Sequence, residues 1–523
     1  MITATVLATL WLPLAGSLSG LEAGNSSGGE KRRLAVVPQD AKLKKIYLSP
    51  DSRRLGFIAR RGNKEFAVVD GVSTEEFDAI PSALTFSPDA RQIAFIARDG
   101  GRQYAIVNGS RSEAYDRVDS PTFSPNSARF AYAAGRGNRR YLVLDGAREG
   151  EYDSLTPPFV FSPDSRRLAF IAGHGGREFV VNEGSQEQSF DIVLSPLSFS
   201  PDGRRLGYIG VEGRKEYAVV DGIKGPDFDR MVQPVTFSPD SRRVGYVVRK
   251  GDKEYAVLDW MKQGDFDRVL SAFAFSPDSR HVAYLAKVKG DQSVVLDGFR
   301  SEPYQQVSSG AYFSGDGRHL AYCARAQDHE FVVVDGMRGP DHDAVGQLTF
   351  SGGFERRAYV ARRKTRVFAV VDGAPGEEFD KVDRIVFSPD LKRTAYVGTT
   401  GQKPCVVVDG IKESVDGRVE SLSFSPDSSR AWFIDRVGGR KKVVFGGADG
   451  DLYDDLSLFT FSPKGERLAY VGRRGQGCCV VSEGRKSQDF DEVWSVAFNA
   501  DATAVSFDAR EGSELWHVSL SLQ

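Results

Sequence analysis

The chain has 523 residues, 41% of them hydrophobic and 27% charged, with 69 basic against 71 acidic side chains. So even a balance argues against a nucleic-acid binder, which needs a basic excess, and the length exceeds what one ordinary core holds. Glycine is abundant at 55 residues and methionine rare at 4, a turn-rich profile that favours many short strands over long helices.

At the amino terminus, Val6 to Ala15 is an apolar run broken only by Pro13, and the small residues Gly16, Ser17, Ser19 and Gly20 follow it. Residues 1–22 therefore read as a signal peptide, although no Lys or Arg precedes the apolar run. Export to a periplasmic or extracellular space is the expectation, with a cytoplasmic protein as the alternative. Residues 23–41 read as a polar linker, and Asn25-Ser26-Ser27 within it has the form of a glycosylation sequon. No apolar stretch reaches 18 residues, so no transmembrane segment is expected.

From residue 47 onward one phrase returns along the chain. It reads YLSPDSRRLGF at 47–57, TFSPDARQIAF at 85–95, FSPDSRRVGY at 237–246 and FSPKGERLAY at 461–470. Its serine falls at 49, 87, 124, 162, 200, 238, 276, 314, 351, 388, 425 and 462, and Asn499 holds that place in a last, decayed copy. The steps are 37 or 38 residues throughout, a regularity that marks a repeat architecture. In the second unit Ser82 to Phe86 leads into the turn Ser87-Pro88-Asp89. Gln92 to Ala97, Tyr104 to Val107 and Tyr115 to Val118 then read as three further strands, separated by Asp99-Gly100-Gly101 and Asn108-Gly109. The strands are apolar on both faces, so each small sheet must be covered on both sides, as in blades stacked face to face.

The phrase F-S-P-D-(S/G)-R-R-(L/V)-(A/G)-(F/Y) resembles the WD40-like propeller repeat of TolB-type proteins. The resemblance spans about 47–523 and implies that the phrase joins the innermost strand of a blade to the second. It specifies a fold rather than a function. The expected fold class is all-β, with 12–13 four-stranded blades of 37–38 residues. Propellers typically close with 4–8 blades, so tandem propellers are expected: a first over 42–308 with about seven blades, and a second over 309–523 with about six. The last copy ends after its third strand, Glu514 to Leu520, and Lys42 to Ile46 is the expected donor of its fourth.

Several columns of the repeat carry charge. Asp51, Asp89, Asp164 and their counterparts follow Ser-Pro and suit a turn, where a carboxylate accepts backbone N–H groups. A second aspartate precedes each new unit (Asp78, Asp116, Asp153, Asp191, Asp229), and arginines open the second strand (Arg54, Arg167, Arg205, Arg243). A repeated pairing between these two columns is the expectation. An aromatic opens the third strand (Phe66, Tyr104, Phe331, Phe368), and Cys405 and Cys479 take that place in two units, which reads them as buried, idle thiols.

Departures from a repeat point to function, because the scaffold alone accepts the consensus. They gather between about 293 and 353. There Ser293, Gln305, Gly315 and Gly352-Gly353 replace consensus residues, and His319, His329 and His342 are three of the six histidines. His319, His329, Asp341, His342 and Asp343 are the candidate ligand-binding residues; a seam between two rings, or drift, is the alternative. The histidines lack a metal-ligand spacing, so neither a metal nor a cofactor is expected. No H-E-x-x-H motif or phosphate-binding glycine loop occurs, and no catalytic residues are assigned. The function that follows is a non-catalytic binding scaffold for a protein or another macromolecule. A hydrolase or lyase with its site at the channel mouth, and a surface-layer protein, are the alternatives.

Overall fold

The computed structural model describes residues 29–51, 53–308, 310–351 and 355–522; the signal peptide, the sequon and Gly352-Gly353 lie outside them. The described chain is all-β and forms thirteen small antiparallel sheets of the β-propeller type, eleven of four strands and two of five, in which the first strand is split into two short pieces. No helix among the described residues is long and apolar enough to cross a membrane. Blade 3 shows the plan, with strands Arg117–Phe123, Phe130–Arg136, Arg139–Leu144 and Ala147–Tyr152. Fourth strands are often two residues long, as in Ser110–Arg111 of blade 2. The segment expected as the last strand of that unit divides differently: Tyr115 makes one bridge to Gln103, and Arg117 already begins the first strand of blade 3.

The described blades fall into two compact units. One holds Gly29–Val36 with the last two blades, from Leu456 on apart from the turn Lys464–Glu466; the other runs from Val37 to Asp455 and includes that turn. In the larger unit successive blades share core clusters. Ile209, Ala218 and Val220 of blade 5 pack with Val235, Val244 and Tyr246 of blade 6. The expected second propeller starting at 309 is not shown. Ala283, Leu285 and Val294 of blade 7 share a core with Leu320, Tyr322 and Phe331 of blade 8, as neighbours do elsewhere.

The phrase builds the turn between the first and second strands. In blade 2 the Ser87 hydroxyl, fully buried, donates to Asp89 at 2.6 Å and accepts the Gln92 N–H at 2.9 Å. The Ser87 hydroxyl and the Arg91 N–H hold the Asp89 carboxyl below the usual carboxylate range. These aspartates are turn formers, as their place after proline suggests.

The charged columns do pair, with partners other than the expected ones. Arg54 meets Asp70, the aspartate of the Val-Val-Asp-Gly turn, at 2.7 Å, and its other end reaches the Ala90 and Arg91 carbonyls of the next blade at 2.9 and 2.7 Å. The late aspartates form a separate ladder. Asp78 accepts from Lys64 of its own unit at 2.8 Å and from the Gly100 N–H of the next blade at 2.8 Å. Asp191 repeats this with Arg177 and Gly213, at 2.9 and 2.7 Å. The physical reason is reach: the late aspartate lies in the crossing between blades, beside the next hairpin. Exposed pairs of this kind each contribute little to stability, because solvent screens them.

The last blade, Glu492–Phe498, Ala504–Glu511 and Glu514–Ser521, takes its fourth strand from Gly29–Val36 rather than from Lys42–Ile46. Lys42–Leu48 is instead the first strand of blade 1. The expected linker thus contains a strand. Lys31 accounts for part of its hold: its ammonium pairs with Glu511 and lies 4.2 Å from the Trp516 ring centre.

Candidate functional site

Of the five residues expected at a ligand site, His329, Asp341, His342 and Asp343 lie within electrostatic reach of one another, while His319 stands apart. His319 stands in the arginine column, its Nδ1 2.7 Å from Asp335, as His281 stands against Asp297 in the preceding blade. Asp343 belongs to the late-aspartate ladder and accepts the Lys364 N–H. His329 opens the third strand of blade 8 and is exposed. Among the described residues no group of three His, Cys, Asp or Glu is placed to hold a metal ion.

Asp341 and His342 do share a place, at the outer edge between blades 8 and 9. Arg338 pairs with Asp341 at 2.5 Å and keeps its carboxyl below the usual range. His342 fills the column held by Phe77 and Tyr115 elsewhere, is 8% exposed, and packs edge-on against Tyr359 and Phe368 at 5.8 and 5.9 Å. Its Nε2 lies 3.4 Å from the Tyr359 hydroxyl, while Nδ1 is buried without a partner. Burial, followed by the nearby Arg363, pushes its pKa down. Beside it opens a notch of about 160 Å³, lined by Val332, Met337, Arg338, Pro340 and Tyr359. The alternation of the short fourth strand explains the rim here. Arg338 lies over the Phe331 ring at 3.8 Å, and its neighbour Met337 is left facing solvent.

The same alternation repeats in the blades before it. Lys224 lies over Tyr217 and Lys262 over Tyr255, each at 3.7 Å. The residue just before each cation is the first of the fourth strand, and in blades 5 to 8 it is large, apolar and exposed: Ile223 at 64%, Met261 at 64%, Phe299 at 80% and Met337 at 71%. In blades 2 to 4 the same position holds Ser110, Ala147 and Ser185. Trp260 joins this row. It sits at φ +67° where other blades place glycine, and its ring lies so close over Gly225 of blade 5 that a Cβ there would come within 2.8 Å of it. Four consecutive blades therefore present an apolar row along one rim, with the notch at its end. Sequence reasoning missed it; the signal was the residue following each Asp-Gly turn.

In the last blade Ser495, Asp508 and His517 come together. Ser495 donates to Asp508 at 3.0 Å, and His517 Nδ1 lies 2.7 Å from the other oxygen of Asp508. The carboxylate sits in the middle, so the histidine does not contact the serine it would have to deprotonate. Burial pushes the Cys405 and Cys478 thiols up, away from reactivity.

No family model matches the chain, and no curated protein matches it. Among solved structures, a crystal structure of a eukaryotic initiation factor is similar at 12% identity and a TM-score of 0.30, covering 69% of this chain and 95% of its own. TolB from Acinetobacter baumannii is similar at 14% identity and a TM-score of 0.21, covering 50% of this chain and 79% of its own. Likeness at this level adds nothing to the β-propeller architecture already visible in the blades.

Proposed function

We propose that the protein is a non-catalytic binding scaffold that seats a protein partner along the outer rim of blades 5 to 8. The observation that carries this reading is the row Ile223, Met261, Phe299 and Met337, each well over half exposed at one repeat position in consecutive blades. A soluble protein seldom leaves large apolar side chains aligned on its surface unless something covers them. A rigid stack of blades is also a suitable frame for a broad, flat contact, since little conformational freedom is lost on binding. The apolar leader and the TolB-type phrase favour an exported protein that meets its partner outside the cytoplasm.

The test uses the full chain, its Phe299→Glu/Met337→Glu variant and a Val72→Glu control, in which the same column is changed in blade 1. The expected result is a partner cross-linked to the wild type and the control and lost from the double variant. Equal capture by all three, or capture by none, would overturn the reading. So would a concentration-dependent dimer that the double variant abolishes, because a second copy of the chain would then be the occupant.

A further inference from the structure

A cavity of about 340 Å³ lies between blades 10 and 11, lined by Lys381, Asp383, Arg384, Val397, Thr399, Pro404, Arg418 and Val419. It exists because two interblade fillings used elsewhere are missing together. The first is a polar clasp. In seven blades a Glu or Gln in the third strand accepts the backbone N–H of the next blade's first strand, as Glu254 does for Val269 and Gln103 for Val118. Blade 10 has Pro404 at that position, which offers Val419 no oxygen. It also lacks the N–H with which Glu65 and Glu330 bridge the segment that follows their fourth strands.

The second missing filling is an aromatic ring. One junction earlier, Phe379 is 1% exposed and packs among Val360, Val367 and Val382, the counterparts of Val397, Pro404 and Val419. At the cavity the counterpart of Phe379 is Asp416. Its carboxylate is held away by Lys442 at 2.6 Å, and its N–H by the buried Asp435 at 3.0 Å. Gly417 follows, where any Cβ would overlap the Arg436 carbonyl, so the chain is fixed in this path.

What remains is a pocket with an apolar floor of Val397, Val419 and Pro404 and a cationic mouth. Lys381 and Asp383 neutralise each other at 2.5 Å. Gln347 accepts the Arg384 N–H at 3.0 Å and fixes the backbone there at φ +57°. The guanidinium groups of Arg384 and Arg418 have no ion-pair partner among the described residues, in a chain whose other columns of cations are largely paired.

We infer that this cavity is a binding site for an organic carboxylate with an aromatic or branched apolar body. The carboxylate would take the place of the missing Glu side chain, accepting from the Val419 N–H and facing Arg384 and Arg418. The apolar body would take the place of the missing ring. Arginine suits this role because its planar fork matches a carboxylate. The site is separate from the rim row, so the rim variants should leave it intact, and either proposal can fail alone.

The probe is 3-phenylpropionate, titrated calorimetrically into the full chain, with 3-phenylpropionamide as its uncharged control. The acid is expected to bind and the amide to bind at least about tenfold more weakly. Pro404→Glu, which restores the clasp, should abolish binding and raise the melting temperature. Arg384→Ala/Arg418→Ala should weaken binding about tenfold or more with the melting temperature unchanged. No binding of the acid to the wild type, equal binding of acid and amide, or unaltered binding in the Arg384→Ala/Arg418→Ala variant would overturn the inference. Tighter binding of inorganic phosphate than of the acid would do the same.

Discussion

The Ser127 hydroxyl of blade 3 accepts the backbone N–H of Asp89 in blade 2 at 2.9 Å. Ser127 sits at φ +64°, a left-handed conformation costly for a residue with a Cβ, and its counterparts Ser165, Ser241 and Ser279 do the same at 2.9 Å. The conformation is what aims the hydroxyl backward across the interface. Ser241→Ala should therefore keep the strain, lose the bond, and destabilise by about 0.5–1.5 kcal/mol. Ser241→Gly should lose the bond and also relieve the strain, leaving stability nearly unchanged. Urea unfolding of the two variants separates these contributions.

Glu254 is 1% exposed and joins the Val269 N–H at 2.8 Å to Arg249 and Arg268 at 2.5 and 3.2 Å. Glu254→Ala would strand a buried N–H and should cost about 1–3 kcal/mol. Glu254→Gln should recover most of that, since Gln103 and Gln292 make the same clasp in blades 2 and 7. Denaturant midpoints of the three proteins give the ordering directly.

Much of the architecture was legible before the structure. The spacing of the Ser-Pro-Asp phrase counts the blades, and the buried serines explain why: each closes a turn that cannot be lengthened without losing two hydrogen bonds. The Arg54 partner was misread because a column alignment does not say which aspartate lies across the sheet. The strand Gly29–Val36 was read as linker because its residues, Gly-Glu-Lys-Arg-Arg-Leu-Ala-Val, are too charged to resemble a blade strand. It is an edge strand, and half of it faces solvent. The irregular window at 293–353 contributes one notch. The larger cavity arises from Pro404 and Asp416, two changes that look unrelated until the fold sets both against the same junction. A column-by-column comparison of the Glu/Gln and aromatic positions would have found them.

His342 stands in an aromatic column with one ring nitrogen stranded. Because its pKa is lowered from 6.5 by burial, the unfolded chain binds more protons than the folded one as the pH falls below that value. The fold therefore has the full contribution of the neutral ring above about pH 6.5 and loses it progressively as the pH drops toward the depressed folded value. Asp341 and Asp343 oppose this shift and Arg363 favours it. His342→Phe should raise the melting temperature, with a larger gain at about pH 5.5 than at about pH 8. A gain independent of pH would mean that the ring titrates in the fold as it does in the unfolded chain, against the downward shift.

Removing residues 1–36 would uncover the edge of Glu514–Ser521, which now pairs with Gly29–Val36 along nearly its whole length. An unpaired edge opens more readily. Limited proteolysis should then cut within 492–521 about tenfold faster or more, with cleavage in blades 3 to 8 unchanged. Faster cleavage everywhere would indicate that the strand supports more than its own blade.

The apolar rim is the centre of the functional reading, and site-specific photo-cross-linking tests it most directly. A benzophenone side chain placed in turn at positions 261, 299, 337 and 72 reports what lies against each. One and the same protein adduct is expected from the first three positions and none from the fourth. Adducts from all four alike, or no protein adduct at 299, where Phe299 is 80% exposed, would contradict that reading.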